Sequence, residues 1–161
     1  MKILGIDPGI ARMGWGLVRV EGGALRVEGY GCIETDKGVA LEERLRVVHE
    51  DISRIITEEK PNALAIEELF FNTNAKTALV VGQARGVVLL AAAQHDIPVS
   101  VYTPLQVKIA VTGYGRAEKN QVGEMVKMIL KLDKAPKLDD TADALAVALT
   151  HAFSYKVNKL K

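Results

Sequence analysis

Acidic side chains that lie far apart in the sequence have the types and positions needed to hold divalent metal ions. Asp7 ends one apolar run, and either Glu67 or Glu68 ends another. Asp140 and Asp143 stand about one helical turn apart, before a third apolar segment. Oxygen ligands without histidine or cysteine suit Mg²⁺ or Mn²⁺, and two such ions about 3.5–4 Å apart are typical of phosphodiester hydrolysis. The pattern predicts a two-metal hydrolytic site.

Acids near the start of a helix also have a simpler interpretation. Asp139 and Asp140 can cap the predicted helix and interact favourably with its dipole. Asp143 does not fit that interpretation, because it precedes the apolar residues 144–149 and has no lysine or arginine within one turn. A carboxylate in such a helix needs a partner from elsewhere in the chain.

The composition sets the broad class of the protein. The chain has 161 residues, 48% of them hydrophobic and 25% charged, which predicts one globular domain covering residues 1–161. The formal net charge of +1 argues neither for nor against a nucleic-acid partner. The single cysteine, Cys32, excludes a disulfide within the chain. No signal-peptide pattern is visible, and the unbroken apolar segment Gly86 to Ala93 is far too short to span a membrane. We therefore expect a cytoplasmic protein without a membrane partner.

The order of predicted elements indicates how the acids come together. Apolar and turn patterns predict three strands in an antiparallel meander, followed by helices that alternate with two further strands. The predicted strands cover residues 2–7, 14–20, 25–35, 63–66 and 97–102, and the predicted helices cover 39–59, 74–95, 104–111, 117–132 and 139–157. This order predicts an α/β fold with a five-stranded mixed sheet flanked by helices. If the first and fourth strands are neighbours, Asp7 and Glu67 face one crevice. Spacing alone does not choose between Glu67 and Glu68, which point to opposite faces.

Several residues near the predicted site have the chemistry to bind DNA. Lys108, Arg116 and Lys119 flank the Gly113-Tyr114-Gly115 loop, although surface lysines are usually only solvated. Phe70 and its neighbour follow the Glu67 strand; one of the pair is expected in the core and the other at the lip of the crevice, where it can stack on bases.

The second helix carries a stripe of small residues, Ala78, Gly82 and Gly86, at intervals of four. Such a stripe lets another element approach closely. The sequence does not decide between packing on the protein's own sheet and a subunit interface.

Several segments, in order along nearly the whole chain, resemble the RuvC family of bacterial Holliday junction resolvases, which belongs to the ribonuclease H-like superfamily. The resembling segments are ILGIDPG (3–9), LAIEELFF (64–71), GQARGV (82–87), QVK (106–108), AEKNQV (117–122) and DDTADALAVALTHA (139–152). The resemblance implies a ribonuclease H-like nuclease that acts in recombination and repair. It implies a homodimer that cuts two opposed strands of four-way junction DNA, with two Mg²⁺ per active site, for which Mn²⁺ substitutes. RuvA and RuvB, the branch-migration proteins, are implied partners.

The resemblance also assigns roles to individual residues. The family's four acids correspond to Asp7, Glu67, Asp140 and Asp143, which selects Glu67 over Glu68. The family also places an aromatic residue at the DNA, which corresponds to Phe70, and basic residues near its substrate, which correspond to Lys108 and Lys119. The resemblance further favours dimerisation through the small-residue stripe.

Two departures from the family pattern affect these assignments. An extra residue in the loop 132–138 leaves Asp139 as a second candidate beside Asp140, at a position where some members carry histidine. Arg12 is displaced by one place from the family's arginine, and we assign it no role.

Three other functions remain to be weighed against junction cleavage. An actin-like or sugar-kinase ATPase needs two such domains around its nucleotide, and this chain has room for one. A branched-DNA binding module without cleavage gains nothing from four costly acids beside phosphate. Another ribonuclease H-like nuclease, acting on RNA, stays open on the chemistry alone.

Overall fold

The computed structural model describes residues 1–69, 75–134, 136 and 139–159. Within them the chain forms five strands and five helices, as the sequence predicts. In chain order these are β1 (Lys2–Asp7), β2 (Arg12–Glu21), β3 (Ala24–Glu34), α1 (Leu41–Glu59), β4 (Ala63–Glu67), α2 (Ala75–Gln94), β5 (Val99–Tyr102), α3 (Pro104–Thr112), α4 (Lys119–Leu130) and α5 (Asp139–Lys159). The predicted bounds agree with these to within a few residues. Phe70, the aromatic candidate, lies outside the described residues.

The five strands form one mixed sheet in the order β3-β2-β1-β4-β5, which confirms the predicted architecture. β1 pairs antiparallel with β2 and parallel with β4. In the parallel pair Ile6 lies opposite Ile66. The next residues along the two strands are Asp7 and Glu67, so both carboxylates lie at the carboxyl ends of neighbouring parallel strands.

The helices form two layers, and strand alternation decides which layer each acid faces. Residues of α1 and α2 share one apolar cluster with Leu4, while residues of α3, α4 and α5 share another with Ile3. Because side chains alternate along a strand, Asp7 lies on the same face as Ile3, towards α5.

Alternation along β4 separates the two neighbouring glutamates in the same way. Ala65 belongs to the cluster on the α5 side and Ile66 to the cluster on the α1 side. Glu67 therefore shares the face of Ala65 and joins Asp7, whereas Glu68 turns towards the opposite face. The register thus selects the same glutamate as the family resemblance.

Helix α5 lies directly on β1 and β2 because glycines leave room for its backbone. A Cβ atom added to Gly5 would overlap the carbonyl oxygen of Ala144, and one added to Gly14 would overlap the carbonyl oxygen of Asp140. Gly14 is also the residue paired with Asp7 between β1 and β2. The first turn of α5 is therefore held against the strand position opposite Asp7.

The outward face of α2 exposes large apolar side chains. Ala84, Val88 and other residues on one side of α2 pack against α1 and the sheet. On the other side Leu79 is 64% exposed and Leu90 is 53% exposed. By length and composition alone, Lys76–Gln94 is apolar enough to cross a membrane, yet only 22% of that window is buried in the protein.

We predict that Gly14→Ala destabilises the protein and separates α5 from β2. The added methyl group has no space, because the backbone of Asp140 occupies its position. Overpacking of this kind costs about 1–3 kcal/mol, which lowers the Tm of a domain of this size by several degrees. Thermal unfolding followed by circular dichroism measures the change.

Gly29→Ala on β3 is the matched control, since its methyl group would meet the ring of Trp15 at an ordinary distance of 3.5 Å. Equal changes in Tm for the two variants would show that the contact between Gly14 and α5 is not tight.

Candidate active site

The two strand acids are half-buried and interact electrostatically. Burial raises the pKa of Asp7 to about 8, with further contributions from the charges of Asp143, Glu67 and Asp140. Burial, and then the charge of Asp143, raises the pKa of Glu67 to about 7. The carboxyl groups influence one another in this way because they share one pocket. The structure therefore brings together acids that are far apart in sequence.

Asp143 has a cationic partner that its own helix could not supply. Lys119, the first residue of α4, places its Nζ 2.8 Å from Oδ2 of Asp143. Burial lowers the pKa of Lys119, but the hydrogen bond to Asp143 and their mutual attraction outweigh burial and raise that pKa, so the amine stays protonated. Burial raises the pKa of Asp143, and the hydrogen bond from Lys119 only partly opposes this effect.

Asp140 is held differently, by Arg12 at the start of β2. Nε of Arg12 lies 3.2 Å from Oδ2 of Asp140. That oxygen is buried, and within the described part of the chain it accepts no hydrogen bond. Arg12 thus balances the charge of Asp140, but Oδ2 of Asp140 accepts no hydrogen bond from the described residues. A buried carboxylate oxygen without a hydrogen bond is uncommon.

The donor set fits a hard divalent cation. The charges of Glu67, Asp140 and Asp143 all act on Asp7, and a buried oxygen of Asp140 has no hydrogen-bond donor within the described residues. Within the described residues, however, no three acidic, histidine or cysteine side chains are already arranged around one point as ligands. The reason lies in the two ion pairs, which turn Asp140 and Asp143 towards Arg12 and Lys119. Asp139, the alternative at this position, is exposed at the start of α5.

Two of the three basic candidates, Lys108 and Lys119, interact with the acids. The charges of Lys119 and Lys108 both lower the pKa of Glu67, opposing the larger effect of burial, so both lysines reach the acidic pocket. Arg116 is exposed in the loop between α3 and α4. That loop begins at Gly113 with a φ of 75°, and the hydroxyl oxygen of Thr112 accepts a hydrogen bond of 3.1 Å from the backbone N–H that follows Gly113. The loop therefore holds a fixed shape beside the pocket.

Sequence reasoning missed Arg12. The signal was present: Arg12 precedes Gly14 by two residues on β2, and alternation puts both on the face that α5 covers. The family pattern gave no reason to examine Arg12, because it stands one place from the expected arginine. The contact with Asp140 gives Arg12 a position in the site.

We predict that the metal-free protein loses stability as the pH rises, because of Asp7. The pKa of Asp7 is about 8 in the folded protein, against its ordinary value of 3.8. Between these values the folded state holds a proton that the unfolded state has released, so the free energy of unfolding falls with increasing pH. The difference in Tm between wild type and Asp7→Asn should therefore become more negative from about pH 5.5 to about pH 8.5 in EDTA.

Glu68→Gln is the control, since Glu68 lies on the other face of the sheet, and it should keep the wild-type pH dependence. Parallel curves for wild type and Asp7→Asn would contradict a buried, protonated Asp7.

Comparison with known proteins agrees with this geometry. The family model described as "Crossover junction endodeoxyribonuclease RuvC" matches residues 3–151. A crossover junction endodeoxyribonuclease RuvC from Alkaliphilus oremlandii is 57% identical over 152 residues, which cover 94% of this chain and 93% of the relative. A RuvC from Halothermothrix orenii is 50% identical and covers 99% of this chain and 96% of its own length.

Solved structures show the same fold. The structure of Thermus thermophilus RuvC in complex with Holliday junction substrate has a TM-score of 0.94 and 40% sequence identity, and the match covers 98% of this chain and 96% of that one. The yeast mitochondrial Holliday junction resolvase Ydc2, at 12% identity and a TM-score of 0.61, shares the fold. The fold is thus that of the ribonuclease H-like resolvases, and with the sequence matches it places this chain in the RuvC family of crossover junction endodeoxyribonucleases.

Proposed function

We propose that this protein cuts two opposed strands of a four-way DNA junction, in recombination and DNA repair, with the help of divalent metal ions. The observation that carries the proposal is the half-buried group of Asp7, Glu67, Asp140 and Asp143, whose charges act on one another, in a chain of the RuvC family. We propose these four residues as the ligands of two Mg²⁺ ions, for which Mn²⁺ substitutes. Residues 1–161 then act as a single ribonuclease H-like nuclease domain.

The elevated pKa values explain why the cluster needs metal. Without cations the pKa of Asp7 is about 8, so at neutral pH the carboxyl group keeps its proton and cannot act as an anionic ligand. When bound, the two metal ions would activate the attacking water and stabilise the leaving oxygen. The residues of the chain contribute by releasing their protons, holding their oxygens on rigid elements and excluding bulk water from the pocket.

The basic residues beside the pocket would position the DNA backbone. Lys119 contacts Asp143, Lys108 acts electrostatically on Glu67, and Arg116 lies in the loop between α3 and α4, which carry these two lysines. Contacts with phosphate orient a duplex without reading its sequence, and each one adds to the salt dependence of binding. We keep Phe70 as the proposed aromatic contact with bases at the crevice, on the family resemblance.

We further propose that two copies of the chain form a homodimer through α2. Leu79, Gly82, Gly86 and Leu90 follow one another at helical spacing along its outward side. A Cβ atom added to Gly86 would meet nothing within 4 Å, so this side of the helix is open to close approach. A twofold dimer would present two matching active sites to two opposed strands of a junction.

Cellular context follows from the family alone. We infer a cytoplasmic protein, because its proposed substrate is recombining DNA. RuvA and RuvB, which move the branch point, are the partners that we propose for it.

We predict that Leu79→Glu combined with Leu90→Glu yields a folded monomer. Two carboxylates on the proposed interface would have to be buried without partners, which is strongly unfavourable. Sedimentation velocity would show the loss of the dimer, while circular dichroism would show unchanged helix content. Met128→Glu is the control, because Met128 is 67% exposed on α4 in the other helix layer. A wild-type protein that sediments as a monomer at micromolar concentration would contradict the dimer.

We predict that Asp7→Asn and Glu67→Gln each abolish cleavage but not junction binding. Loss of a ligand should cost more than the roughly 10–100-fold that follows loss of a supporting residue, whereas removing negative charge beside phosphate favours binding. The assay uses a synthetic four-way junction, the linear duplex and an RNA–DNA hybrid, each with and without Mg²⁺. Cleavage of the junction alone, and only with metal, supports the proposed function.

Glu68→Gln is again the matched control, since it removes the neighbouring carboxylate on the opposite face, and it should cleave like wild type. Near-normal cleavage by either ligand variant would show that the ligand assignment is wrong. Preferential cleavage of the hybrid would instead favour an RNA-directed nuclease.

A further inference from the structure

Arg12 neutralises Asp140 through a contact that leaves the carboxylate oxygen without a hydrogen bond. Its Nε lies 3.2 Å from Oδ2 of Asp140, yet this buried oxygen accepts no hydrogen bond within the described residues. The side chain of Arg12 is 54% exposed, whereas that of Asp140 is 24% exposed. One end of the ion pair is therefore fixed in the pocket and the other end can move into solvent.

An ion pair of this kind is weak enough to be broken. Pairs with one solvent-exposed partner contribute about 0–1 kcal/mol, because water screens them and the long side chain loses rotamer freedom. Oδ2 of Asp140 is the kind of hard oxygen ligand that a divalent cation such as Mg²⁺ would take. The guanidinium next to the same oxygen would then face a double positive charge at close range. Repulsion and the weakness of the pair both favour the departure of Arg12.

We propose that Arg12 is a counter-ion that divalent metal displaces from Asp140, and that the released guanidinium then binds a phosphate of the DNA substrate. The inference depends on the proposed function, because it takes Asp140 as a metal ligand. Arg12 is thus a positioning residue: it keeps the metal-free pocket neutral and couples metal loading to DNA contact.

The position of Arg12 suits the second half of this proposal. It opens β2 directly after the turn that follows Asp7, so it lies at the rim of the pocket. A planar guanidinium can donate two parallel hydrogen bonds to a phosphate, whereas the contact with Asp140 uses only Nε of Arg12. Glu34 lies opposite Arg12 in the β2–β3 register and is the alternative destination for the released side chain.

Metal binding without DNA tests the first half. Titration of wild type and Arg12→Gln with Mn²⁺, with free Mn²⁺ followed by electron paramagnetic resonance, should show roughly 3–10-fold tighter binding by the variant, since a competing positive charge is removed. Arg12→Lys should stay close to wild type. Arg26→Ala, which removes an exposed arginine on β3 away from the pocket, is the matched control and should also bind like wild type.

Junction binding without metal tests the second half through a double-mutant cycle. In EDTA, Arg12→Gln should change junction affinity little, because Arg12 is engaged with Asp140. Asp140→Asn releases Arg12. In the Asp140→Asn background, Arg12→Gln should therefore weaken junction binding several-fold and reduce the slope of log K against log salt concentration by about one.

The outcomes separate this inference from the proposed function. Weaker Mn²⁺ binding by Arg12→Gln, or unchanged binding, would overturn the counter-ion role while the metal site stands. Additive effects in the cycle would overturn the phosphate contact and point to Glu34 as the destination. A wild-type protein that binds no Mn²⁺ would overturn the metal site itself, and this inference with it.

Discussion

The site depends on how closely α5 approaches the central strands. Asp7 and Gly14 are paired across β1 and β2, and the carbonyl of Asp140 fills the space that a side chain at position 14 would need. Gly5, two residues before Asp7, makes the same room for Ala144. Without these glycines the helix would be pushed off the sheet by at least the size of a methyl group. Since metal ligands must converge to within fractions of an ångström, that spacing is a condition for the proposed chemistry.

Close packing brings four carboxyl groups near one another, and their mutual repulsion is reduced in two ways in the metal-free protein. The strand acids respond by protonation, since burial and neighbouring charges raise the pKa values of Asp7 and Glu67 to about 8 and about 7. The helix acids respond by pairing, Asp143 with Lys119 and Asp140 with Arg12. Both responses are reversible, because protons and exposed side chains can leave. If the four acids hold metal, as we propose, the metal would replace these protons and counter-ions.

Much of this arrangement could be predicted from the sequence because it follows from periodicity. Apolar runs that end in Asp7 and Glu67 gave the strands, and the apolar stretch after Asp143 gave a helix packed on the sheet. The choice of Glu67 over Glu68 also follows from alternation once the faces of β4 are known. Before that, only the family resemblance could make the choice.

The partners of the acids could not be predicted, since they depend on contacts between elements that are remote in sequence. Lys119 reaches Asp143 from the start of α4, and nothing in the spacing of the two residues requires it. The face on which Arg12 lies could be predicted, because it follows from alternation with Gly14. The residue of α5 that Arg12 contacts could not be predicted, because that depends on how far along the sheet the helix begins. Periodicity therefore identifies the residues that enter the pocket, whereas packing decides which charge neutralises which. It follows that two members of this family with the same four acids can differ in metal affinity when the cations around those acids differ.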